Sequence, residues 1–171
     1  MQAGLEGSAG EAPERAPEAQ PLVVGFCDRN YLGVLANWMI SLRLAGIRRV
    51  KVFAGDTETR DAVAAWGAEA ELASWTPGDL TDVLRQRVSI MRRLVSGGVT
   101  FVHSDIDAAW LRDPFPMIEG MRVQADMLFS QGTRMPRGVY KKLGFVLCCG
   151  WFLVRPTTES ARLFAESEAD M

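Results

Sequence analysis

The chain has 171 residues, 48% of them apolar, which suffices for one compact domain and falls short of two at a usual size of about 100–150 residues each. Its 19 Lys and Arg against 21 Asp and Glu leave a net charge of −2, without the basic surplus that contacts to a DNA or RNA backbone require, so no nucleic-acid partner is expected. The longest apolar run, Phe145 to Val154, is about half of the roughly 20 residues a membrane-spanning helix needs, so no span is expected either.

Residues 1 to 20 (MQAGLEGSAGEAPERAPEAQ) are mostly Ala, Glu, Gly and Pro, with almost nothing to bury, and read as a disordered leader. The opening M-Q-A-G-L-E-G-S lacks a basic segment followed by an apolar run and does not read as a signal peptide. From Pro21 onward short apolar runs alternate with amphipathic stretches, the pattern of βα units on a mostly parallel sheet, and residues 21–171 are assigned to one such domain. Leu22 to Cys27 (LVVGFC) predicts a first buried strand. Leu32 to Ala45 predicts a helix, with Leu35, Met39 and Leu42 at helical spacing and Gly46 at its C-terminal end. Arg49 to Ala54 predicts the second strand, Thr57 to Trp66 a second helix, and Ala70 to Ala73 a third, weaker strand.

Leu80 to Val95 is the clearest helix: Leu80, Val83, Leu84, Val88, Met91, Leu94 and Val95 form one stripe, while Asp82, Arg85, Gln86, Ser89, Arg92 and Arg93 face away. After Gly97-Gly98, Val99 to His103 (VTFVH) shows no alternation and predicts a strand buried on both faces, running directly into Ser104-Asp105-Ile106-Asp107. A proline-punctuated loop (W-L-R-D-P-F-P), a short strand at Met127 to Ser130 and a long polar loop from Gln131 to Leu143 follow. A strand or strand pair across Gly144 to Val154 and a helix from near Thr157 complete the expectation.

The three cysteines are an odd count, and the adjacent Cys148 and Cys149 have Cα atoms about 3.8 Å apart, short of ordinary disulfide geometry. No disulfide framework is implied. With no C-x-x-C and His103 as the single histidine, a structural zinc is not expected, and His103 reads as a packed strand residue.

Side chains two apart on a strand project to one side, so Asp105 and Asp107 are expected to converge at the carboxyl end of Val99 to His103, where open α/β sheets bind ligands. Two hard carboxylate ligands without Cys or His suit Mn²⁺ or Mg²⁺, ions that complete their shell with water and substrate phosphate. A diphosphate ligand is the natural expectation.

The segment Gly98 to Pro116, with V-T-F-V-H-S-D-I-D-A-A-W-L-R-D-P-F-P after its glycine, resembles the signature of the nucleotide-diphospho-sugar transferase family. That is the GT-A group which includes plant cell-wall xylosyl- and arabinosyltransferases: an apolar strand, S-D-x-D, then V-W-L-R-D-P. The resemblance extends to Asn37-Trp38, Asp56, Arg87, Ala125-Asp126-Met127-Leu128 with Ser130, and Gly150-Trp151-Phe152 with Arg155, covering about residues 21 to 168. It implies a GT-A-like (Rossmann-like), three-layer α/β/α fold. It also implies a metal-dependent, retaining transfer of a sugar from a nucleoside diphosphate donor to a hydroxyl of a glycan, protein or small-molecule acceptor. By position, Asp105 lies near the donor ribose and sugar as a catalytic residue and shares the metal with Asp107, the more direct ligand. Arg87 and Ile106 fall to the donor, Asp28 and Asp56 to the nucleoside pocket, and Gln131 to the transferred sugar as a catalytic contact. Trp110, Gly150 and Trp151 fall to the acceptor side.

The chain departs from the family pattern in carrying Cys148-Cys149-Gly150 where N-T-G is usual, in having no histidine after His103, and in stopping at Met171, which is short for the family. These features keep open a non-catalytic or degenerate sugar-nucleotide-binding domain and a C-terminally truncated one. A haloacid-dehalogenase-type phosphotransferase also uses a strand ending in D-x-D, but there the motif follows the first strand. Family analogy suggests a Golgi-lumen setting, although no anchor is evident in the sequence.

Overall fold

The computed structural model describes residues 20–73, 75–121 and 124–171, so apart from Gln20 the leader expected over residues 1 to 20 lies outside the described residues. In chain order the elements are β1 (Leu22–Cys27), a 3-10 turn (Arg29–Tyr31), α1 (Leu32–Leu44), β2 (Val50–Ala54), α2 (Thr57–Ala65), β3 (Glu69–Leu72), α3 (Leu80–Ser96) and β4 (Phe101–Ser104). They continue with α4 (Phe115–Gly120), β5 (Met127–Gln131), α5 (Arg137–Leu143), β6 (Leu147–Val154) and α6 (Thr158–Ala169).

The strands form one six-stranded sheet in the order β3-β2-β1-β4-β6-β5. β1 pairs in parallel with β2 and β4, and β2 with β3, while β6 is antiparallel to both β4 and β5. Only β6 runs against the rest, so the sheet is mostly parallel. Residues of opposite parity bury opposite faces: Val23, Val52, Val102 and Leu153 meet Leu35, Trp38 and Leu42 of α1, Val63 of α2 and Phe115 and Ile118 of α4. On the other face Val24, Phe53, Phe101 and Val154 meet Ile90, Met91 and Val95 of α3 and Phe164 of α6. Burial on both faces is why these strands read as unbroken apolar runs. The result is the expected three-layer, GT-A-like α/β/α sandwich.

Helix ends follow ordinary capping chemistry. Asp56, Asp79 and Thr157 each accept backbone N–H groups at the start of α2, α3 and α6.

Several expectations are corrected. The proline-punctuated loop contains α4, and the long polar loop contains α5, which closes on Gly144 in the left-handed conformation at φ +80°. Because α5 buries none of its side chains, no apolar stripe announces it. Of the strand or strand pair expected across Gly144 to Val154, the single strand is found, as β6. On α3 the predicted stripe fails at its start: Leu80 and Leu84 are exposed, and Ile90, absent from that stripe, is buried. The buried residues of α3, Ile90, Met91 and Val95, all lie in its second half, so it is that half which packs on the sheet. Among the described residues no helix is long and apolar enough to cross a membrane.

Candidate active site

The chain lays β1, β2 and β3 outward in one direction and then returns to place β4 on the free side of β1. This reversal opens a crevice at the carboxyl ends of β1 and β4, where α/β sheets hold ligands. A cavity of about 410 Å³ occupies it, lined by Phe26, Tyr31, Val34, Arg87, His103, Ser104, Asp105, Ile106 and Asp107. A larger cleft of about 620 Å³ lies at the amino ends of the strands, among Arg43, Arg48, Arg49 and Lys51. Its lysine is bound to Glu69 and Glu71, and Arg43 and Arg49 are spent on the carbonyls of Trp66 and Gln20. The smaller cavity, which gathers a basic and two acidic side chains at the switch point, is the candidate site.

Ser104 fixes the descent from β4 into the motif. Its buried hydroxyl accepts the indole N–H of Trp38 at 3.1 Å and of Trp110 at 3.0 Å, and donates to the Asp105 carbonyl at 3.1 Å. Gly25, in the middle of β1, leaves room for the Trp38 ring, since a Cβ there would stand 2.9 Å from it. Asp105 is further held by its backbone N–H, which donates to the Gly150 carbonyl at 2.7 Å, and by its own carbonyl, which accepts Ala108 N–H at 3.1 Å. The strand ends at Ser104, so alternation does not carry Asp105 and Asp107 to one side as expected. The turn that follows brings both into the cavity instead.

The Asp105 carboxylate meets two groups from beneath. Its Oδ1 lies 3.2 Å from His103 Nε2 and 3.6 Å from Arg87 Nη2, and Arg87 Nη2 stands 2.5 Å from the same His103 nitrogen. The contact to His103, with help from Arg87, holds the Asp105 carboxyl below the usual carboxylate range despite partial burial, so it is an anion. Burial, with the neighbouring Arg87 charge, pushes the His103 imidazole down and keeps it neutral against the pull of Asp105. Burial also lowers Arg87, partly offset by Asp105 and Cys149, and its guanidinium rests 5.5 Å over the Phe26 ring. Asp107 is exposed at the cavity mouth.

β6 closes the far side. Its pairing with β5 jumps from Phe129↔Phe152 to Ser130↔Cys148, so extra residues of β6 bulge out around Gly150. There a Cβ would stand 2.8 Å from Asp105 Oδ2, so the glycine is what lets this backbone lie against the carboxylate.

Arg87, Asp105, Ile106 and Asp107 are thus brought together, with Gly150 behind Asp105. The remaining expected residues are placed elsewhere. Asp28 accepts Asn30 N–H at 3.0 Å, and Asp56 accepts Thr59 and Arg29 N–H at 2.8 Å each, so both aspartates cap turns at the ends of β1 and β2 outside the cavity lining. Against partial burial, which would raise it, these donors hold the Asp56 carboxyl down. Trp110 is buried and Trp151 half-buried, their rings 6.3 Å apart in the core beside Phe115. Gln131 is exposed at the end of β5, beyond β6 from the cavity. Reading motifs alone missed His103, Phe26, Tyr31 and Val34. The spacing rule applied to Asp105 also puts His103, two residues earlier, on the aspartate's side of β4.

The donor set suits a hard divalent cation bound by two carboxylates, with the rest of its shell supplied by water and diphosphate. Among the described residues no group of three or more His, Cys, Asp or Glu side chains is arranged to hold a metal.

The model of the nucleotide-diphospho-sugar transferase family matches residues 45–171. Among solved structures the chain is similar to the galactosyltransferase LgtC in complex with donor and acceptor sugar analogs (17% identity, TM-score 0.55, 86% of this chain, 65% of that one). It is also similar to the glycosyltransferase GlyE of Streptococcus pneumoniae (15%, 0.59, 88% and 38%) and to a CMP:2-keto-3-deoxy-manno-octonic acid synthetase complexed with CTP (14%, 0.51, 86% and 78%). At these identities the likeness concerns the fold. A search of curated proteins finds no match. The chain spans 65% of the length of LgtC. With the family model covering most of the chain, D-I-D motif included, the chain belongs to the nucleotide-diphospho-sugar transferase family.

Proposed function

We propose that this domain binds a nucleoside diphosphate sugar in the β1–β4 crevice and transfers its sugar to a hydroxyl acceptor, with Mn²⁺ or Mg²⁺ held by Asp105 and Asp107. The observation that carries this reading is the convergence of Arg87, Asp105 and Asp107 on one cavity at the switch point of the sheet. When bound, the cation would neutralise the diphosphate and act as a Lewis acid for its departure. The chain's own groups supply the rest. Arg87, pinned on Phe26, offers a fixed positive charge for phosphate or sugar, and exposed Tyr31 offers a ring face at the cavity rim. Asp105, anionic and braced by His103, Arg87 and the Gly150 backbone, lines the cavity without a conformational search.

Retention of anomeric configuration, a sugar contact by Gln131 and a Golgi-lumen setting rest on the family resemblance alone. So does an acceptor side that includes Gly150 and Trp151.

A thermal-shift screen of nucleoside diphosphate sugars, with Mn²⁺ and with EDTA, tests the reading, because a ligand that binds only the folded state raises its melting temperature. One donor should shift the transition in Mn²⁺ and not in EDTA, and Asp107→Ala should abolish the shift. Absence of any donor-dependent shift would overturn it. The alternative of a non-catalytic binding domain draws on the two-carboxylate site, and binding without transfer to any hydroxyl acceptor would favour it.

A further inference from the structure

We propose that His103 is a positioning residue: its Nε2–H holds the Asp105 carboxylate toward the cavity, and Arg87 competes for the same nitrogen. The proposal rests on reading Asp105 as a cation- and donor-binding residue. It starts from the cost of placing an imidazole where it is. His103 is 1% exposed, its ring 5.7 Å from Phe26 and 5.1 Å from Phe152, so aromatic neighbours in β1 and β6 clamp its orientation. Its Nδ1 is buried with no partner among the described residues. An unpartnered buried polar atom is costly, and a phenylalanine would fill the slot without that cost. What an imidazole adds is Nε2, the one ring atom that reaches the site.

A neutral imidazole has one N–H and one lone pair, so Nε2 cannot donate to Asp105 and accept from Arg87 at once. Donation to the carboxylate is charge-assisted and leaves Nδ1 a bare acceptor; acceptance from Arg87 would leave a buried N–H orphaned at Nδ1, the rarer and costlier case. The proton therefore sits on Nε2. Arg87 Nη2 stands 2.5 Å from Nε2 and 3.6 Å from Asp105 Oδ1, so with the proton on Nε2 the guanidinium must slide off that nitrogen and pair with the carboxylate, and it takes Nε2 as its acceptor when Asp105 is absent.

His103 is the chain's single histidine, so the ring nitrogens of a ¹⁵N-labelled sample are assigned without ambiguity. Long-range ¹H–¹⁵N correlation should show Nε2 protonated in the wild type and in Arg87→Met, and Nδ1 protonated in Asp105→Ala. The same tautomer in the wild type and Asp105→Ala would overturn the proposal. As a second readout, Mn²⁺ alone is titrated by electron paramagnetic resonance. His103→Phe, which keeps the packing, should weaken binding about 10- to 100-fold at a melting temperature near the wild type's. His103→Gln, whose amide can donate to Asp105, should recover most of the loss. Wild-type Mn²⁺ affinity in a folded His103→Phe would overturn the positioning role. Should the wild type itself take up no Mn²⁺, the proposed function fails and the ring spectra decide the positioning claim; they also decide it should His103→Phe not fold.

Discussion

The carbonyl of Gly150 accepts the backbone N–H of Asp105 at 2.7 Å, and the missing side chain of that glycine leaves the space that Asp105 Oδ2 occupies. The strand that runs against the rest of the sheet thus braces the motif by main-chain bonding and side-chain vacancy together. Gly150→Ala would bring a methyl within 2.8 Å of Oδ2, which is the free end of a side chain and can yield. The expected outcome is a stability change within about 1 kcal/mol by urea denaturation, because the backbone need not move. Mn²⁺ binding should weaken about tenfold or more, because the carboxylate must move. A variant that binds Mn²⁺ as the wild type does would show that the glycine is needed for something else.

Ser104 supports the same turn from the opposite face. Ser104→Ala removes the acceptor of two indole N–H groups, those of Trp38 and Trp110, both buried and without other partners among the described residues. An orphaned buried donor costs about 1–3 kcal/mol, so the loss in urea denaturation should approach the sum for two. Loss of only a few tenths of a kcal/mol would mean that the indoles find water or a new acceptor.

Much of this arrangement was legible in the residues, for a physical reason. A strand buried on both faces must be apolar throughout, so β1, β2 and β4 stood out, and the polar residues ending β4 marked the candidate site. The segments that stayed hidden have no such constraint. α5 buries nothing and so carries no periodic signal, and α4 is short and led by prolines that also suit a loop. Asp28 and Asp56 show a different limit: an aspartate after a strand suits capping a turn as well as binding a ligand, and the capping bonds themselves appear only in the fold. His103 was readable in principle from its parity with Asp105, but that it reaches Arg87 depends on how α3 packs across β4.

The two aspartates should part company on substitution. Asp107 is exposed, and its carboxylate makes no hydrogen bond or ion pair among the described residues, so Asp107→Ala should leave the ligand-free protein within about 0.5 kcal/mol of the wild type. Asp105→Ala takes away the partner of both His103 and Arg87 and should destabilise by more. Both should lose the Mn²⁺-dependent stabilisation by donor, measured as the shift between Mn²⁺ and EDTA. Retention of that shift in Asp107→Ala would remove this residue from the cation site.

Cys27, at the end of β1, is 3% exposed and close to Asp28 and Asp56. Burial first, and then the two aspartates, push its thiol up from the ordinary 9.0 to about 12. Folded Cys27 therefore keeps its proton through a range in which the unfolded chain releases it. Below pH 9 both states are protonated and the group contributes no pH dependence. From pH 9 towards 12 the unfolded state binds fewer protons, so stability must fall as pH rises, by about 1.4 kcal/mol per pH unit at most. Comparing the wild type with Cys27→Ala removes the contribution of lysines and tyrosines. The stability difference between them should be constant up to pH 9 and then change steadily through pH 11 against the wild type. Thiol labelling gives the same result kinetically: exposed Cys149 should react at pH 8 in the folded protein, and Cys27 only on unfolding, since the thiolate is the reactive form. A difference between the two proteins that stays flat across pH 9 would mean that Cys27 ionises in the folded state as it does in the unfolded one.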